Sequence, residues 1–316
     1  MTVVAYHLET HRNPRQIERL VATLHRWAPD SPIVVSHDRN SEPLNEGAIE
    51  RNGGVVLPAS GGYSDMSHSR RWLSTVEWLE KHDVAYDWLS NLSGQDYPIR
   101  PLDQVHRELS ESDADAFVET FDVFDEGETP WGTARGRTRY TFHHRRLGRL
   151  SHTQKQMLRP LQVVNRVQPW FRVTTATGLT VGRRVDAPWG GDLQLRGGSF
   201  FTTLRHRAVQ HVRRFVDERH DVVDFLDGAL APAEVFFQTA LFNGSGDPLA
   251  ITNDCRRYFD FSETRLNHPR TLTRDDLPRV FASGKDFARK FDASQDVGLL
   301  DAVDTHLEQI AAGAVG

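Results

Sequence analysis

The sequence predicts an α/β fold built on a Rossmann-like, mostly parallel sheet flanked by helices. Three observations carry that expectation. Short β-branched runs alternate with segments of three- and four-residue apolar spacing through the first hundred residues, the order of βαβ units. The chain has 316 residues, a size at which a single core stops growing. Apolar residues make up 38%, with seven Trp and 17 Phe, enough for a sizeable interior and too many for a disordered chain. One domain over 1–316 is expected.

The elements follow in order. Val3-Val-Ala-Tyr-His-Leu reads as a short buried strand. Residues 14–27 carry Ile17, Leu20, Val21 and Leu24 on one helical face. Pro32-Ile-Val-Val and Gly53-Gly-Val-Val-Leu-Pro are the second and third strands. Ser69 to His82 is a helix with Trp72, Leu73, Val76 and Leu79 inward, and Tyr86 to Leu92 is a fourth strand. In parallel sheets ligands collect at the carboxyl ends of strands, so the tips Glu9 to His11, Asp38-Arg39 and Gly94 to Asp96 are candidate binding positions. Ala116-Phe-Val-Glu-Thr is a further strand. From 125 to 191 the chain turns rich in Arg, His, Gly and Thr, with a helix expected only near 154–167. This stretch reads as an excursion from the sheet, of the kind that carries substrate contacts. Regular pattern returns at Ser199-Phe-Phe-Thr-Thr-Leu, with a helix over 205–217, another opening at Pro232, and an amphipathic closing helix over 297–310.

Composition excludes several classes. A net charge of −5 gives no global basic field for nucleic acid. No run approaches the roughly 18 apolar residues of a membrane span, and the N-terminus lacks the pattern of a signal peptide. The single Cys, Cys255, excludes an internal disulfide framework and a Cys-based zinc site. A soluble, cytoplasmic protein is expected. Membrane-surface contact stays open through the Arg-rich stretch 135–149, for which a solvated arginine face is the plainer reading.

Four motifs carry chemistry, each with a plainer alternative. Pro232 fits the first position of a helix and places Glu234 in its first turn. There the helix dipole keeps a carboxylate ionised and able to take a proton; equally, a Glu there merely helps the helix start. Arg270, Lys285, Arg289 and Lys290 form a cationic cluster suited to phosphate, or a solvated helix face on which 289 and 290 cannot both meet one ligand. Asp113-Ala-Asp115 has the spacing of a cation-binding pair, but precedes a strand where a ligand-facing pair should follow one, and reads as a turn. The 15 His show no metal-binding helical spacing.

Read in order, three blocks resemble the core-2/I-branching N-acetylglucosaminyltransferase and peptide O-xylosyltransferase family. They are Asn91-Leu-Ser-Gly-Gln-Asp-Tyr-Pro-Ile-Arg-Pro; Gly198-Ser-Phe-Phe followed by Pro232-Ala-Glu-Val-Phe-Phe-Gln-Thr; and His268-Pro-Arg-Thr-Leu-Thr with Phe287-Ala-Arg-Lys-Phe-Asp. The resemblance implies a GT-A glycosyltransferase fold, with residues 1–110 as the nucleotide-binding half and 111–316 as the acceptor-binding and catalytic half. It implies inverting transfer of GlcNAc or xylose from a UDP-sugar to a hydroxyl of a glycan or other acceptor, with no metal and no other cofactor. Carried over by position, Glu234 is the general base and Arg270 and Lys290 stabilise the departing diphosphate. His11, Asp38 and Asp96 fall at donor positions. Glu119, Arg135, Arg139 and Tyr140 fall near acceptor- and sugar-binding positions, and Phe261 stands where a Trp commonly packs on the sugar. His68 departs from the usual aromatic or glycine after the third strand. Two other classes remain: a metal-dependent phosphohydrolase using Asp113 and Asp115, and a non-catalytic nucleotide-sugar-binding protein on the same fold.

Overall fold

The structure is a computed structural model that describes residues 2–61, 65–148, 150–175, 178–262 and 268–313. Its first part runs β1 (Val4–Thr10), α1 (Pro14–Trp27), β2 (Ile33–Asp38), α2 (Glu46–Arg51), β3 (Gly54–Ala59), α3 (Ser67–Lys81) and β4 (Trp88–Ser93), as the alternating pattern predicts except for the short α2, which has no expected counterpart. Then come β5 (Tyr97–Pro98), α4 (Leu102–Glu111), β6 (Ala116–Val118) and β7 (Phe121–Asp122). Helix α4 has no counterpart among the elements expected from sequence, although Leu102, Val105 and Leu109 give it a buried face.

The excursion consists of α5 (Thr133–Tyr140), β8 (Phe142–Gly148), α6 (His152–Met157), α7 (Val164–Val167), β9 (Phe171–Thr174) and β10 (Leu179–Arg184). The single helix expected over 154–167 is interrupted by a 3-10 turn, Arg159–Val163. Pro160 explains the break, because its ring clashes with the preceding turn and it has no N–H to donate. The chain returns through β11 (Arg196–Gly197), β12 (Thr202–Arg205), α8 (His206–Glu218), α9 (His220–Asp227) and α10 (Phe236–Asn243). It closes with β13 (Ile251–Thr252), β14 (Arg257–Phe259), α11 (Leu277–Phe281), β15 (Phe287–Arg289) and α12 (Val297–Ala311).

Seven strands form the central sheet in the order β13-β6-β12-β4-β1-β2-β3. β12 runs antiparallel to both neighbours, and the other strands are mutually parallel. The fold is therefore the expected α/β, Rossmann-like class, and one sheet draws strands from both halves of the chain. Side chains alternate along a strand. On β1, Val4, Tyr6 and Leu8 enter a core completed by α1, α4 and α12, while Ala5 faces a second core formed with α3, α8 and α10. His7 and Glu9 share that second face, and this parity later brings them to α3. Two small assemblies sit at the carboxyl edge: the β14-β15-β5 sheet and the β8-β10-β9 sheet of the excursion.

The tightest backbone approach lies where the two halves of the crevice meet. A Cβ on Gly198 would stand 1.9 Å from the carbonyl oxygen of Glu119 and 2.8 Å from Gln238 Nε2. Only glycine fits. Gly198→Ala should force the strand tips apart and destabilise the protein by about 1–3 kcal/mol, read as a lower denaturation midpoint at unchanged slope.

Candidate functional site

Glu234 ends a 3-10 turn, Pro232–Glu234, that precedes α10. Pro232 sits at its start, as the sequence predicts. Ala231 before it adopts left-handed backbone (φ 53°), costly for a residue with a Cβ. Three contacts hold this turn. The Tyr140 hydroxyl donates to the Ala231 carbonyl at 3.0 Å, the Gly198 N–H donates to the Glu234 carbonyl at 2.9 Å, and Arg139 Nη1 donates to Glu234 Oε2 at 2.5 Å. The Arg139 guanidinium also lies over the Trp131 ring at 5.1 Å. The Glu234 side chain stays 40% exposed, so one carboxylate is both clamped and reachable.

Glu119 follows β6 at its carboxyl end. Burial, with the charge of Glu234 adding to it, raises the Glu119 pKa against a backbone hydrogen bond from Ser199. Arg135 lies on α5 beside Arg139; burial and that neighbouring cation depress its pKa, with Glu234 acting the other way. Tyr140 is fully buried. It positions the turn that carries Glu234 and is not exposed to an acceptor.

The cationic side of the crevice differs from the expected helix face. Residues 287–289 are strand, not helix. Arg289 is largely buried with its guanidinium 4.4 Å over the Phe201 ring, and Nη1 is 4.0 Å from Asp96. Lys290 follows, half-buried; burial lowers its pKa, and Arg289 and Arg12 add to that effect. Among the described residues no ion pair engages Lys290. Arg270 is placed otherwise. Its guanidinium donates to Asp260 Oδ2 (2.7 and 3.0 Å) and to both oxygens of Asp276. Two carboxylates already occupy those donors, so Arg270 is a strut of this loop; its carbonyl faces the Lys290 N–H at 3.5 Å. Asp96 has no exposed surface and accepts from the Ser93 N–H at 2.6 Å and the Ser93 hydroxyl. It supports Arg289 from below and is out of a ligand's reach.

The remaining donor positions gather at the tips of β1 and β2. His11 is exposed; burial around its ring and the charge of Arg12 lower its pKa, with Arg71 and His68 adding to this and Asp38 opposing it. Asp38 accepts from the Asn40 N–H at 3.0 Å, closing the turn after β2. Glu9 is buried and bonded to His68 Nδ1 on α3, with His7 Nε2 3.9 Å from its other oxygen. Burial opposes ionisation of Glu9, but the hydrogen bond from His68 and the nearby His7 imidazole prevail and hold it at about 2. Burial likewise opposes the charge on His68, yet Glu9 raises its pKa. An aromatic floor runs from this pair across the crevice through Phe200, Phe201 and Phe259 to Phe261, with successive centroids 5.7 to 6.0 Å apart. Phe261 is 54% exposed at its far end.

His268 ties the two sides together. Burial lowers its pKa, Lys290 adds to this, and Glu234 acts in the opposite direction. The segment from Gly198 to Phe201 joins the two sides, its Gly198 N–H bonded to the Glu234 carbonyl and its Phe201 ring lying under Arg289, which precedes Lys290. Asp113 and Asp115 lie elsewhere. They precede β6, at the opposite end of the sheet from His11 and Asp38. Asp115 is buried, accepting from the Ala250 N–H at 2.8 Å and pairing with Arg207 at 3.2 Å. Among the described residues no three His, Cys, Asp or Glu side chains converge as metal ligands. Sequence reasoning missed Arg12, Arg257 and the charged Glu9–His68 pair. The strand-tip rule already pointed at Glu9, and Arg12 adjoins the tip that was singled out.

Against this geometry, a model of the Core-2/I-branching enzyme family matches residues 5–283. The chain belongs to that family. As a Core-2/I-branching family member it is a glycosyltransferase. No curated protein matches the chain. Among solved structures, it is similar at 10% identity to a nucleoside-diphosphate-sugar pyrophosphorylase from Vibrio cholerae (TM-score 0.34, 75% of this chain and 86% of that one). It is similar to the same degree to a 4-diphosphocytidyl-2C-methyl-D-erythritol synthase from Anaerococcus prevotii (10% identity, TM-score 0.34, 89% and 97%). Likenesses of that size carry no argument about chemistry.

The Glu9–His68 pair makes stability depend on pH in a defined way. The carboxylate's contribution is present above its ordinary 4.5 and is lost as pH falls toward 2. The imidazolium's contribution is present below 6.5 and is lost as pH rises through its raised pKa. The melting-temperature gap between the native protein and His68→Gln should therefore peak between pH 4.5 and 6.5, where the pair contributes about 1–3 kcal/mol. A gap as wide at pH 9 as at pH 5.5 would show that the pair is neutral.

Proposed function

We propose that this family member is an inverting, metal-independent transferase that moves GlcNAc or xylose from a UDP-sugar to a hydroxyl of a glycan or other acceptor. The observation that carries the reading is that one short segment touches both walls: the Gly198 N–H holds the turn of Glu234, a clamped but accessible carboxylate, and the Phe201 ring carries Arg289, the neighbour of Lys290.

In this reading Glu234 takes the acceptor proton as the hydroxyl oxygen bonds to the anomeric carbon. The bond from that carbon to the β-phosphate oxygen breaks, and its electron pair leaves with UDP. Attack and departure occur on opposite faces of the sugar, so configuration inverts. The charge developing on the diphosphate is met by Lys290, with Arg289 and Arg12 behind it. At an effective dielectric of about 20, a cation 4 Å away is worth ~4 kcal/mol, and fixed cations act without reorganisation as charge develops. Arg270 serves by holding the loop against the Lys290 backbone. Arg139 orients Glu234, Glu119 and Arg135 border the acceptor, and Phe261 and the aromatic floor offer a sugar a stacking surface. Asp38 and His11 lie where the nucleoside would rest.

Two substitutions separate the roles. Glu234→Gln should lower the transfer rate by about 10²–10⁴ while leaving UDP-induced thermal stabilisation intact, and full retained rate would refute the assignment. Lys290→Met should weaken UDP binding about 10- to 100-fold, the loss of one charge-assisted contact, measured by calorimetry. Both assays belong in excess EDTA. Activity lost there and restored by Mg²⁺ or Mn²⁺ would overturn metal independence. Thermal shifts with UDP-GlcNAc and UDP-xylose identify the donor.

A further inference from the structure

Of the ten strongly exposed large apolar side chains among the described residues, eight lie between 147 and 171. They include Leu147, Met157 (75% exposed), Leu161, Val167 (76%), Trp170 (64%) and Phe171. Scattered exposed apolar residues need no explanation, but a set confined to one short excursion does. The same stretch has a second property. Residues 129–185 hold twelve Lys and Arg and not one Asp or Glu, in a chain whose net charge is −5. Arg145, Arg166, Arg183 and Arg184 are exposed. Arg183 stands opposite Phe171 in the β10–β9 register, so cations and apolar groups share one surface.

We propose that the 142–184 excursion is a docking surface for an anionic lipid bilayer. Charge complementarity selects the occupant. A second copy of the chain would bring two acid-free basic surfaces together. A soluble polyanion would satisfy the arginines but leave Met157, Val167 and Trp170 in water. An anionic bilayer satisfies both, with guanidinium groups at the headgroups and the apolar side chains at the acyl boundary, where Trp is favoured. The surface is anchored to the catalytic side. The His144 N–H donates to the Gly228 carbonyl at 2.6 Å, and Trp189 Nε1 donates to the Tyr140 carbonyl at 2.7 Å. The contact would therefore hold the acceptor side of the crevice near the bilayer.

The test is cosedimentation of the full chain with vesicles of phosphatidylcholine alone or with about 30 mol% phosphatidylglycerol, over a salt series. At least roughly tenfold tighter binding to the anionic vesicles, weakening with salt, is expected. Val167→Ser/Trp170→Ser and, separately, Arg183→Gln/Arg184→Gln should each reduce it about tenfold at unchanged melting temperature. Absence of an anionic preference in the native protein overturns the proposal without reference to any variant. So does heparin or DNA binding without vesicle binding. So does a concentration-dependent dimer that the Val167/Trp170 substitutions abolish.

Discussion

Two guanidinium groups and one carboxylate share the interior beneath the crevice, and their imbalance sets its field. Arg257 is buried, bonded to the Ser90 hydroxyl and to the Asn91 and Cys255 carbonyls. Arg289 is largely buried, and Asp96 entirely so. A guanidinium does not shed its proton, so burial cannot neutralise either arginine. Asp96 cannot by itself cancel both cations in a medium of low dielectric, and Asp286, a buried carboxylate that also acts on Arg257, is already paired with Arg100 and Arg256. The residual positive potential emerges where Lys290 and Arg12 sit; burial lowers the Lys290 pKa first, and Arg289 and Arg12 add to it. An anion entering there relieves repulsion already built into the fold, which is preorganisation in the electrostatic sense.

The opposite wall is set by backbone proximity. Gly198 passes so close to Glu119 that the β6 tip and the segment before β12 act as one piece. Its N–H then fixes the turn of Glu234, while Gln238 Nε2 donates to the carbonyls of Glu119 and Ser199. The carboxylate is thereby referred to the sheet through short, stiff links. That stiffness is consistent with the left-handed Ala231, whose strain the Tyr140 hydroxyl and the following proline help sustain.

How much of this was legible depends on whether the signal was local. The βαβ order and the strand tips were, because periodicity and tip position are properties of short segments. The turn that carries Glu234 was legible too, since Pro232 announces it. Partners were not. Arg270 and Lys290 look equivalent as isolated cations, and only the fold reveals that Asp260 and Asp276 claim the first while no carboxylate among the described residues pairs with the second. Asp96 sits in a recognisable block and Tyr140 in the less regular excursion, yet burial turns both from expected ligand contacts into supports. The charged Glu9–His68 pair follows from strand parity on β1 combined with the placement of α3, a relation no single window contains. Pro160 did carry a local warning that the helix over 154–167 would break, and it was outweighed by the apolar spacing around it.

Net charge conceals the last feature. Screening confines each surface charge to a neighbourhood of roughly 8–10 Å, so a partner responds to a patch and not to the sum over the chain. A chain of net charge −5 can thus present an excursion without one acidic side chain. Since folding does not require it, that segregation must be understood through what the excursion meets. The apolar side chains on it argue the same way, because they lie outside the interior and a solvated basic face gives them nothing to pack against. The surface lies beside the helix that carries Arg139, so the proposed docking would link where the enzyme rests to which hydroxyl the proposed base, Glu234, can reach, and would make the position of an acceptor relative to the bilayer part of specificity.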